Sequence, residues 1–372
     1  MRSKRFLVVA LVGAAALLAA NSDVLPGMPP VLNARNIYSA DGVGALSGTV
    51  RGFPAYVYVP NSKSDTVDVI DQATYKIVEH FALPKHARRG ALLEPQHVIP
   101  SWDLKKLWVA QDLGDQLTMI DPATGKPGET ITVDDPYNMY YTPDGKYAVV
   151  MAERERRIDF RNAQSMLVVN RVSVGCKGVN HADFSADGRY MIATCEFSNE
   201  LIKVDVAQQK VIAHLQLDPA GMPQDCRLSP DGKVFYVANM DADGVHLIDG
   251  EAFKQIGFVK TGKGAHGLYF SRDVKYLYVS NRGEGSVSLI DVNTRQVATK
   301  WMIPGGGSPD MGGVSADGKS LWLSGRYNSE VYVFDTSNGN LRARIKVGAG
   351  PHGMCVYPQP GRYSLGHTGN MR

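Results

Sequence analysis

The chain has 372 residues, of which 44% are hydrophobic and 21% are charged, and its formal net charge is +3. This balance excludes a disordered chain, a collagen-like chain and a coiled coil for most of the sequence. Its 4 cysteines are too few for a disulfide-rich scaffold.

The first twenty residues have the pattern of an export signal. A basic segment, residues 2–5, precedes an apolar run over residues 6–20 that is too short for a typical membrane-spanning helix. We expect cleavage near Asn21 and a periplasmic or secreted mature protein, with an uncleaved N-terminal anchor as the alternative. No later segment is apolar for long enough to predict a membrane span after cleavage. Loss of the three basic residues takes the formal charge from +3 to 0, which argues against general nucleic-acid binding.

A repeat dominates the rest of the chain. A turn of the type Ser-x-Asp-Gly, or a degenerate copy of it, recurs at spacings of 41 to 44 residues. The markers of its seven copies are Ser101, Thr142, Ser185, Ser229, Ser271, Ser315 and Tyr357. A second marker, an apolar residue followed by Asp, recurs in step with the first, and Asn162 fills one of its places. The two markers together predict seven structural units.

Each repeat contains short segments typical of β-strands. Residues 275–302, for example, contain KYLYVSN, SVSLID and RQVATKWM, separated by turn residues. A fourth strand precedes each turn marker, so the sequence predicts an all-β fold, a seven-bladed β-propeller with four-stranded antiparallel blades. The first repeat lacks its first strand. We expect residues 353–357 to supply it, so that the C-terminus closes the ring by completing the N-terminal blade.

These patterns divide the chain into four parts. Residues 1–20 are the predicted signal peptide, residues 21–53 a lead-in segment that we expect to cross the surface, and residues 54–360 the propeller. Residues 361–372 form a short polar tail whose course the pattern does not predict.

Three strings of the repeat, YVPNSKSDTVDVID, YVANMDADGVHLID and YVSNRGEGSVSLID, resemble the YVTN family of β-propeller repeats over about residues 54–360. YncE-like exported bacterial proteins belong to this family. The resemblance implies an exported or cell-surface propeller. Because some members bind DNA or envelope partners, nucleic acid as a partner is implied by the resemblance alone. A more distant similarity is to the haem d1 propeller domain of cytochrome cd1 nitrite reductases. Propellers have many activities, so this resemblance does not specify a function.

Polar residues are concentrated where the innermost strands begin. Propellers bind ligands where the loops before these strands converge on the central axis. The positions five and four residues before the turn markers include His97, His181, Asp225, His266, Asp310 and His352. We predict that these side chains lie at a solvated channel mouth and bind a ligand. The histidines occupy two different registers, so both convergence on one atom and hydrogen bonding to neighbouring loops stay open.

The same residues suggest a second kind of site. Imidazole suits copper, zinc, nickel or iron, so a transition metal such as copper or zinc, or a haem-like group, is an alternative ligand. The candidate metal ligands are His97, His181, His266 and His352. Arginines on the same face suit a carboxylate, a phosphate or an acidic protein. They are Arg282 and Arg326, which follow second strands, and Arg88 and Arg89 in an insertion.

Two hypotheses of function follow. The first is an exported cell-envelope protein that binds a small ligand or an envelope protein at the channel mouth without catalysis. The second is a metal- or cofactor-binding propeller with a redox or cofactor-handling role. The sequence contains no GxSxG, Walker, dinucleotide-binding or HExxH motif, which favours the first. Cys176 and Cys195 fall in one repeat and could pair, whereas Cys226 and Cys355 fall in predicted innermost strands.

Overall fold

The structure is a computed structural model that describes residues 24–85 and 92–372. The predicted signal peptide, Arg88 and Arg89 lie outside the described residues. Within them, 28 strands form seven four-stranded antiparallel sheets, and the one helical segment is a single 3-10 turn, Glu196–Ser198. The predicted seven-bladed β-propeller is therefore confirmed. In the described part of the chain no helix is both long enough and apolar enough to span a membrane.

The strands are numbered in chain order, and each blade is given from its innermost strand outwards. Blade 1 contains β28 (Cys355–Tyr357), β1 (Tyr56–Asn61), β2 (Thr66–Asp71) and β3 (Ile77–Ala82). Blade 2 contains β4 (Pro95–Pro100), β5 (Leu107–Gln111), β6 (Gln116–Asp121) and β7 (Lys126–Thr132). Blade 3 contains β8 (Pro136–Tyr141), β9 (Tyr147–Ala152), β10 (Arg157–Asn162) and β11 (Val168–Ser173).

The remaining four blades repeat this order. Blade 4 contains β12 (Val179–Phe184), β13 (Tyr190–Cys195), β14 (Glu200–Asp205) and β15 (Lys210–Gln216). Blade 5 contains β16 (Pro223–Leu228), β17 (Val234–Asn239), β18 (Gly244–Asp249) and β19 (Lys254–Lys260). Blade 6 contains β20 (Ala265–Phe270), β21 (Tyr276–Asn281), β22 (Ser286–Asp291) and β23 (Gln296–Met302). Blade 7 contains β24 (Pro309–Val314), β25 (Ser320–Gly325), β26 (Glu330–Asp335) and β27 (Leu341–Lys346).

The two sequence markers form turns for identifiable physical reasons. In the first, a hydroxyl donates to a carboxylate two residues later, as from Ser185 to Asp187 at 2.6 Å. The glycine that follows, Gly188, has a φ of +71°, a conformation that other residues rarely adopt. In the second marker, Oδ1 of Asp71 accepts backbone N–H bonds from the turn residues Ala73 and Thr74, at 3.1 and 2.8 Å.

The ring is closed by the C-terminal strand, as the sequence predicts. β28 pairs with β1 through Tyr56 with Tyr357, Val57 with Val356, and Tyr58 with Cys355. Apolar side chains pack between neighbouring blades. At the closure, Val57 and Val356 lie in one buried cluster with Trp322 of blade 7. The edges that an open array would expose are thereby covered.

The lead-in segment crosses the face of the ring that carries the Ser-x-Asp-Gly turns, which we call the turn face. Backbone N–H groups of Leu25, Ile37 and Gly44 donate to carbonyl oxygens in three of these turns, at 2.8, 2.9 and 3.0 Å. The opposite face, where the loops before the innermost strands lie, is called the mouth face.

The C-terminal tail enters the central channel from the turn face. The N–H of Tyr141 in β8 donates to the carbonyl of Leu365 at 2.9 Å, and the N–H of His367 donates to the carbonyl of Met139 at 2.9 Å. The guanidinium of Arg372, at the end of the chain, donates to the buried carboxylate of Asp183 at 2.7 Å. The tail therefore fills the channel from the turn face.

Gly366 allows the tail to lie directly against β8. Its φ is +90°, and a Cβ atom there would lie 2.6 Å from the backbone oxygen of Met139. We expect Gly366→Ala to lower the free energy of unfolding by about 2 kcal/mol and to expose the C-terminus to carboxypeptidase. Gly48→Ala is the matched control, because a Cβ there would meet no atom within 4 Å. Equal unfolding temperatures and equal digestion rates for the two variants would contradict this placement of the tail.

Candidate functional site

The histidines of the two predicted registers meet at the centre of the channel. The His97 ring centroid lies 5.5 Å from that of His181 and 4.9 Å from that of His352. The His266 ring centroid lies 6.3 Å from that of His181 and 6.0 Å from that of His352. The inner strands carry irregularities at this level: the pairing of β4 with β5 and of β12 with β13 shifts register next to His97 and His181. Strict alternation of side chains is interrupted there, and residues of both registers reach the axis.

A fifth histidine joins this group from the tail. The His367 ring centroid lies 5.2 Å from that of His97 and 5.1 Å from that of His181. The sequence analysis did not find His367, because the tail lies outside the repeat and has no register from which to place it. Its only signal in the sequence is a histidine shortly after the strand that closes the ring.

The prediction that these side chains lie at a solvated channel mouth is wrong. Each of the six predicted residues is at most 2% exposed, and they are His97, His181, Asp225, His266, Asp310 and His352. The physical reason is that innermost strands of seven blades crowd their first side chains around one narrow axis, while the tail fills the channel from the turn face. These polar groups consequently lie in a low-dielectric interior.

Burial keeps the histidines neutral. Desolvation lowers the pKa of His97 to about 3. Desolvation and the nearby Arg282 lower the pKa of His266 to about 4. Burial also holds the pKa of His181, His352 and His367 well below the usual range of histidine. At neutral pH each ring therefore has one nitrogen with a free lone pair and one N–H group.

Three of the rings form a compact set, which we call the trihistidine group: His97, His181 and His367. Each ring contributes one nitrogen, and these three nitrogens all lie within 4.8 Å of one another. The Nε2 atoms of all three rings are buried and lack a hydrogen-bond partner among the residues that the structure describes. A buried polar atom without a partner costs about 1–3 kcal/mol, so three of them together need an explanation.

Hydrogen bonds determine the tautomer of two of these rings. Nδ1 of His97 lies 2.9 Å from the carbonyl oxygen of Tyr137, so the proton is on Nδ1 and the lone pair is on Nε2. Nδ1 of His181 lies 3.0 Å from Oδ1 of Asn180. The amide NH2 of Asn180 donates to the carboxylate of Glu196 at 2.7 Å, which fixes its oxygen towards His181. His181 therefore also has its lone pair on Nε2.

The third ring has the opposite tautomer. Nδ1 of His367 accepts from the amide NH2 of Asn138 at 2.9 Å. That amide also donates to the carbonyl of Asn180 at 3.2 Å, which fixes its orientation. The neutral His367 ring thus carries its proton on Nε2, 3.6 Å from Oδ1 of Asp225. Burial raises the pKa of Asp225 to about 6.

A second set, which we call the Asp310 group, contains Asp310, His266 and His352. One ligand atom from each also lies within 4.8 Å of the others. Arg282 occupies this group: its Nη2 lies 2.6 Å from Oδ1 of Asp310 and 2.5 Å from Nε2 of His266. Oδ2 of Asp310 lies 3.6 Å from Nε2 of His352 and has no hydrogen-bond partner within residues 24–85 and 92–372. Burial disfavours ionisation of Asp310, but Arg282 and the two histidines hold its pKa well below the usual range.

The other predicted arginine is engaged elsewhere. Arg326 donates to the hydroxyl of Ser62 at 2.9 Å and to the carbonyl of Gly350 at 3.3 Å, so it links the loops of blades 7 and 1. A disulfide joins Cys176 to Cys195 across the loop that leads to His181, and Cys226 and Cys355 are free buried thiols.

The comparisons with known proteins identify the fold and leave the site open. A family model described as YNCE-like beta-propeller matches residues 7–361. The comparison with curated proteins found no match. Hydrazine synthase from Kuenenia stuttgartiensis is a similar solved structure, with a TM-score of 0.64 and 17% identity over 79% of this chain and 98% of that chain. At this identity the similarity shows the fold alone.

Two further solved structures are similar to the same degree. Dihydro-heme d1 dehydrogenase NirN in complex with DHE has a TM-score of 0.61 and 17% identity, over 89% of this chain and 83% of that chain. Apo AztD from Citrobacter koseri has a TM-score of 0.61 and 12% identity, over 81% of this chain and 97% of that chain.

Proposed function

The chain belongs to the YNCE-like β-propeller family. We propose that it is an exported protein that binds a transition-metal ion, Zn²⁺ or Cu²⁺, in the trihistidine group. The observation that carries the proposal is the set of three buried Nε2 atoms that have no hydrogen-bond partner among the described residues, on rings that each place one nitrogen within 4.8 Å of the others. One cation would give all three atoms a partner. Imidazole nitrogen is a favoured ligand of both ions.

Two of the three ligands are already prepared for this role. His97 and His181 direct lone pairs from Nε2, and each has its Nδ1–H held by an oxygen acceptor, as is usual for metal-bound histidine. For His367 to bind through Nε2, its proton must move to Nδ1 and the amide of Asn138 must turn to accept it. Metal–nitrogen bonds of about 2.0–2.1 Å also require the three rings to move slightly closer together.

The closed geometry favours holding an ion over catalysis. The rings of the trihistidine group are fully buried, so a substrate has no open route to a bound metal. The site suits a protein that retains or delivers a metal. Export, which the proposal includes, rests on the pattern of residues 1–20 and on the family resemblance.

A haem-like group fits this arrangement less well. The rings of His97, His181 and His367 have centroids 5.1 to 5.5 Å apart and are in mutual contact. A macrocycle would have to separate them and displace the tail that carries His367. A single ion requires neither change.

A protein partner at the mouth face is a compatible second role. Two large side chains are exposed beside the loops of this face, Phe197 at 57% and Tyr327 at 66%. A protein that delivers or receives the ion would contact them there. Binding of a small ligand at the mouth and binding of nucleic acid stay predictions from the sequence.

The proposal is tested by metal titration of single variants. We expect the chelator-treated protein to bind one equivalent of Zn²⁺ or Cu²⁺ tightly. His97→Ala, His181→Ala and His367→Ala should each weaken binding by about 100-fold or more, since loss of a ligand exceeds the 10- to 100-fold effect of losing its outer partner. Calorimetric titration and elemental analysis after gel filtration provide the measurement.

The matched controls are His80→Ala and His214→Ala. Both histidines lie on outer strands, with side chains 55% and 46% exposed. Their variants should bind the ions like the wild type. If all five variants bind equally, or if the wild type binds neither ion, the trihistidine group is not a metal site.

A further inference from the structure

We propose that the Asp310 group is a second cation site, separate from the trihistidine group, and that the guanidinium of Arg282 is its resident cation in the metal-free protein. An ion arriving from the mouth face would bind there by displacing Arg282. This inference goes beyond the proposed function, since it concerns different ligands and does not require the trihistidine group to be loaded.

The position of the guanidinium carries the inference. A single nitrogen, Nη2 of Arg282, lies 2.6 Å from Oδ1 of Asp310 and 2.5 Å from Nε2 of His266. A metal ion bound by one carboxylate oxygen and one imidazole nitrogen would lie in the same place, at about 2.0–2.2 Å from each. The guanidinium nitrogen therefore stands in for a cation between two ligand atoms.

Further ligand atoms at the group are not used by Arg282. Oδ2 of Asp310 is buried and has no hydrogen-bond partner in the described part of the chain, and Nε2 of His352 lies 3.6 Å from it. Nδ1 of His352 is likewise buried, with no hydrogen-bond partner among the described residues. A cation that binds His352 as well as His266 and Asp310 would gain a contact that the guanidinium does not make.

The group lies on the route from the mouth face to the trihistidine group. His266, Asp310 and His352 each stand five residues before a turn marker, whereas His97 and His181 stand four residues before one. Along the innermost strands, the Asp310 group is therefore one residue nearer to the mouth. The His352 and His97 rings, with centroids 4.9 Å apart, connect the two groups.

Arg282 has a place to go when it is displaced. Its guanidinium carbon lies 5.7 Å from the ring centroid of Tyr327, and its Nη1 lies 3.5 Å from the tyrosine hydroxyl. The Tyr327 side chain is largely exposed on the mouth face. The guanidinium can move outwards and stack on this ring. The incoming ion then replaces it as the positive partner of Asp310.

The resident guanidinium also selects among ions. An incoming cation must bind the two imidazoles well enough to replace the charge-assisted bond between Arg282 and Asp310. Zn²⁺ and Cu²⁺ prefer imidazole, whereas Mg²⁺ and Ca²⁺ prefer oxygen ligands and gain little from His266 and His352. Arg282 should therefore exclude the abundant hard cations.

The experiment counts bound Zn²⁺ by elemental analysis after gel filtration. We expect Arg282→Met to bind one tight equivalent more than the wild type, because the carboxylate loses its internal cation and its site becomes free. Arg282→Lys is the matched control and should keep the wild-type number, since it retains a positive charge. Adding His352→Gln to Arg282→Met should remove the additional equivalent. No additional equivalent in Arg282→Met overturns the inference.

Two measurements separate this result from the proposed function. His97→Ala combined with Arg282→Met should lose the trihistidine equivalent and keep the additional one. If the wild type binds no metal but Arg282→Met binds one, the proposed function fails and this inference stands.

Should Arg282→Met not fold, the wild type is titrated to millimolar Zn²⁺. A second, weaker binding event that His352→Gln abolishes and His97→Ala spares is then expected, and its absence overturns the inference.

Discussion

A chain that ends at Ala349 is expected to lose the cooperative unfolding transition of the whole propeller. The truncation removes β28, which pairs with β1, and with it the buried side chains of Val356 and Tyr357. Each large buried apolar side chain contributes about 1.5–3 kcal/mol, and the free energy of unfolding of a typical domain is only about 5–15 kcal/mol. The deletion also exposes the inner edge of β1 and the apolar faces of blades 1, 2 and 7.

The matched control is a chain that ends at Pro360. It keeps β28 and the closed ring but loses the tail, including the ion pair between Arg372 and Asp183. We expect it to fold with a lower unfolding temperature than the full chain. It should also lose tight Zn²⁺ binding, because it lacks His367. Calorimetric and circular-dichroism unfolding curves of the three chains provide the measurement. An Ala349 chain that unfolds at the same temperature as the full chain would show that β28 does not hold the ring closed.

The Zn²⁺ affinity is expected to change by less than about tenfold between pH 7 and pH 5. Protons compete with a metal only where the ligand binds them, and burial lowers the pKa of His97 to about 3 and that of His181 and His367 well below the usual range. These rings therefore stay neutral on mild acidification, and each keeps one nitrogen with a free lone pair. Three exposed histidines with pKa values of about 6.5 would instead lose roughly 10⁴-fold in affinity over the same interval.

Two neighbouring acidic residues add a small pH dependence to the Zn²⁺ affinity. Asp225 faces His367, and because its pKa is raised to about 6 it gains a proton on acidification and weakens the attraction for a cation. Burial also raises the pKa of Glu153, which contacts the site through Asn180. Competition against a chelator of known affinity at pH 5, 6 and 7 provides the measurement. A loss above 1000-fold would show that the ligands titrate as exposed histidines do.

The sequence predicts both the number of blades and the closure of the ring, because a propeller is built from repeats of one short sequence pattern. The spacing of markers such as Ser185 and Ser229 specifies the number of blades, and the surplus first strand at residues 353–357 specifies how the ring closes. Both follow from interactions within one repeat, such as the hydroxyl-to-carboxylate bond between Ser185 and Asp187. Such interactions depend on residues close in sequence.

The candidate site is only partly predictable from the repeat pattern. Register counting selected His97, His181, His266 and His352, and the structure brings their rings together. The same counting cannot give burial, which depends on how closely seven strands approach one axis and on what fills the channel. His367 reaches this centre from outside the repeat, through a tail with no pattern of its own.

The sequence by itself determined the propeller, its seven blades, its closure and the residues that open each innermost strand, because these follow from short-range pattern and strand alternation. The tertiary structure alone decided that the histidines are buried and neutral, that His367 completes the trihistidine group, and that Arg282 occupies the Asp310 group. The physical reason is that desolvation and charge pairing depend on the full surroundings of a side chain. Those surroundings come from blades far apart in the sequence and from the tail that fills the channel.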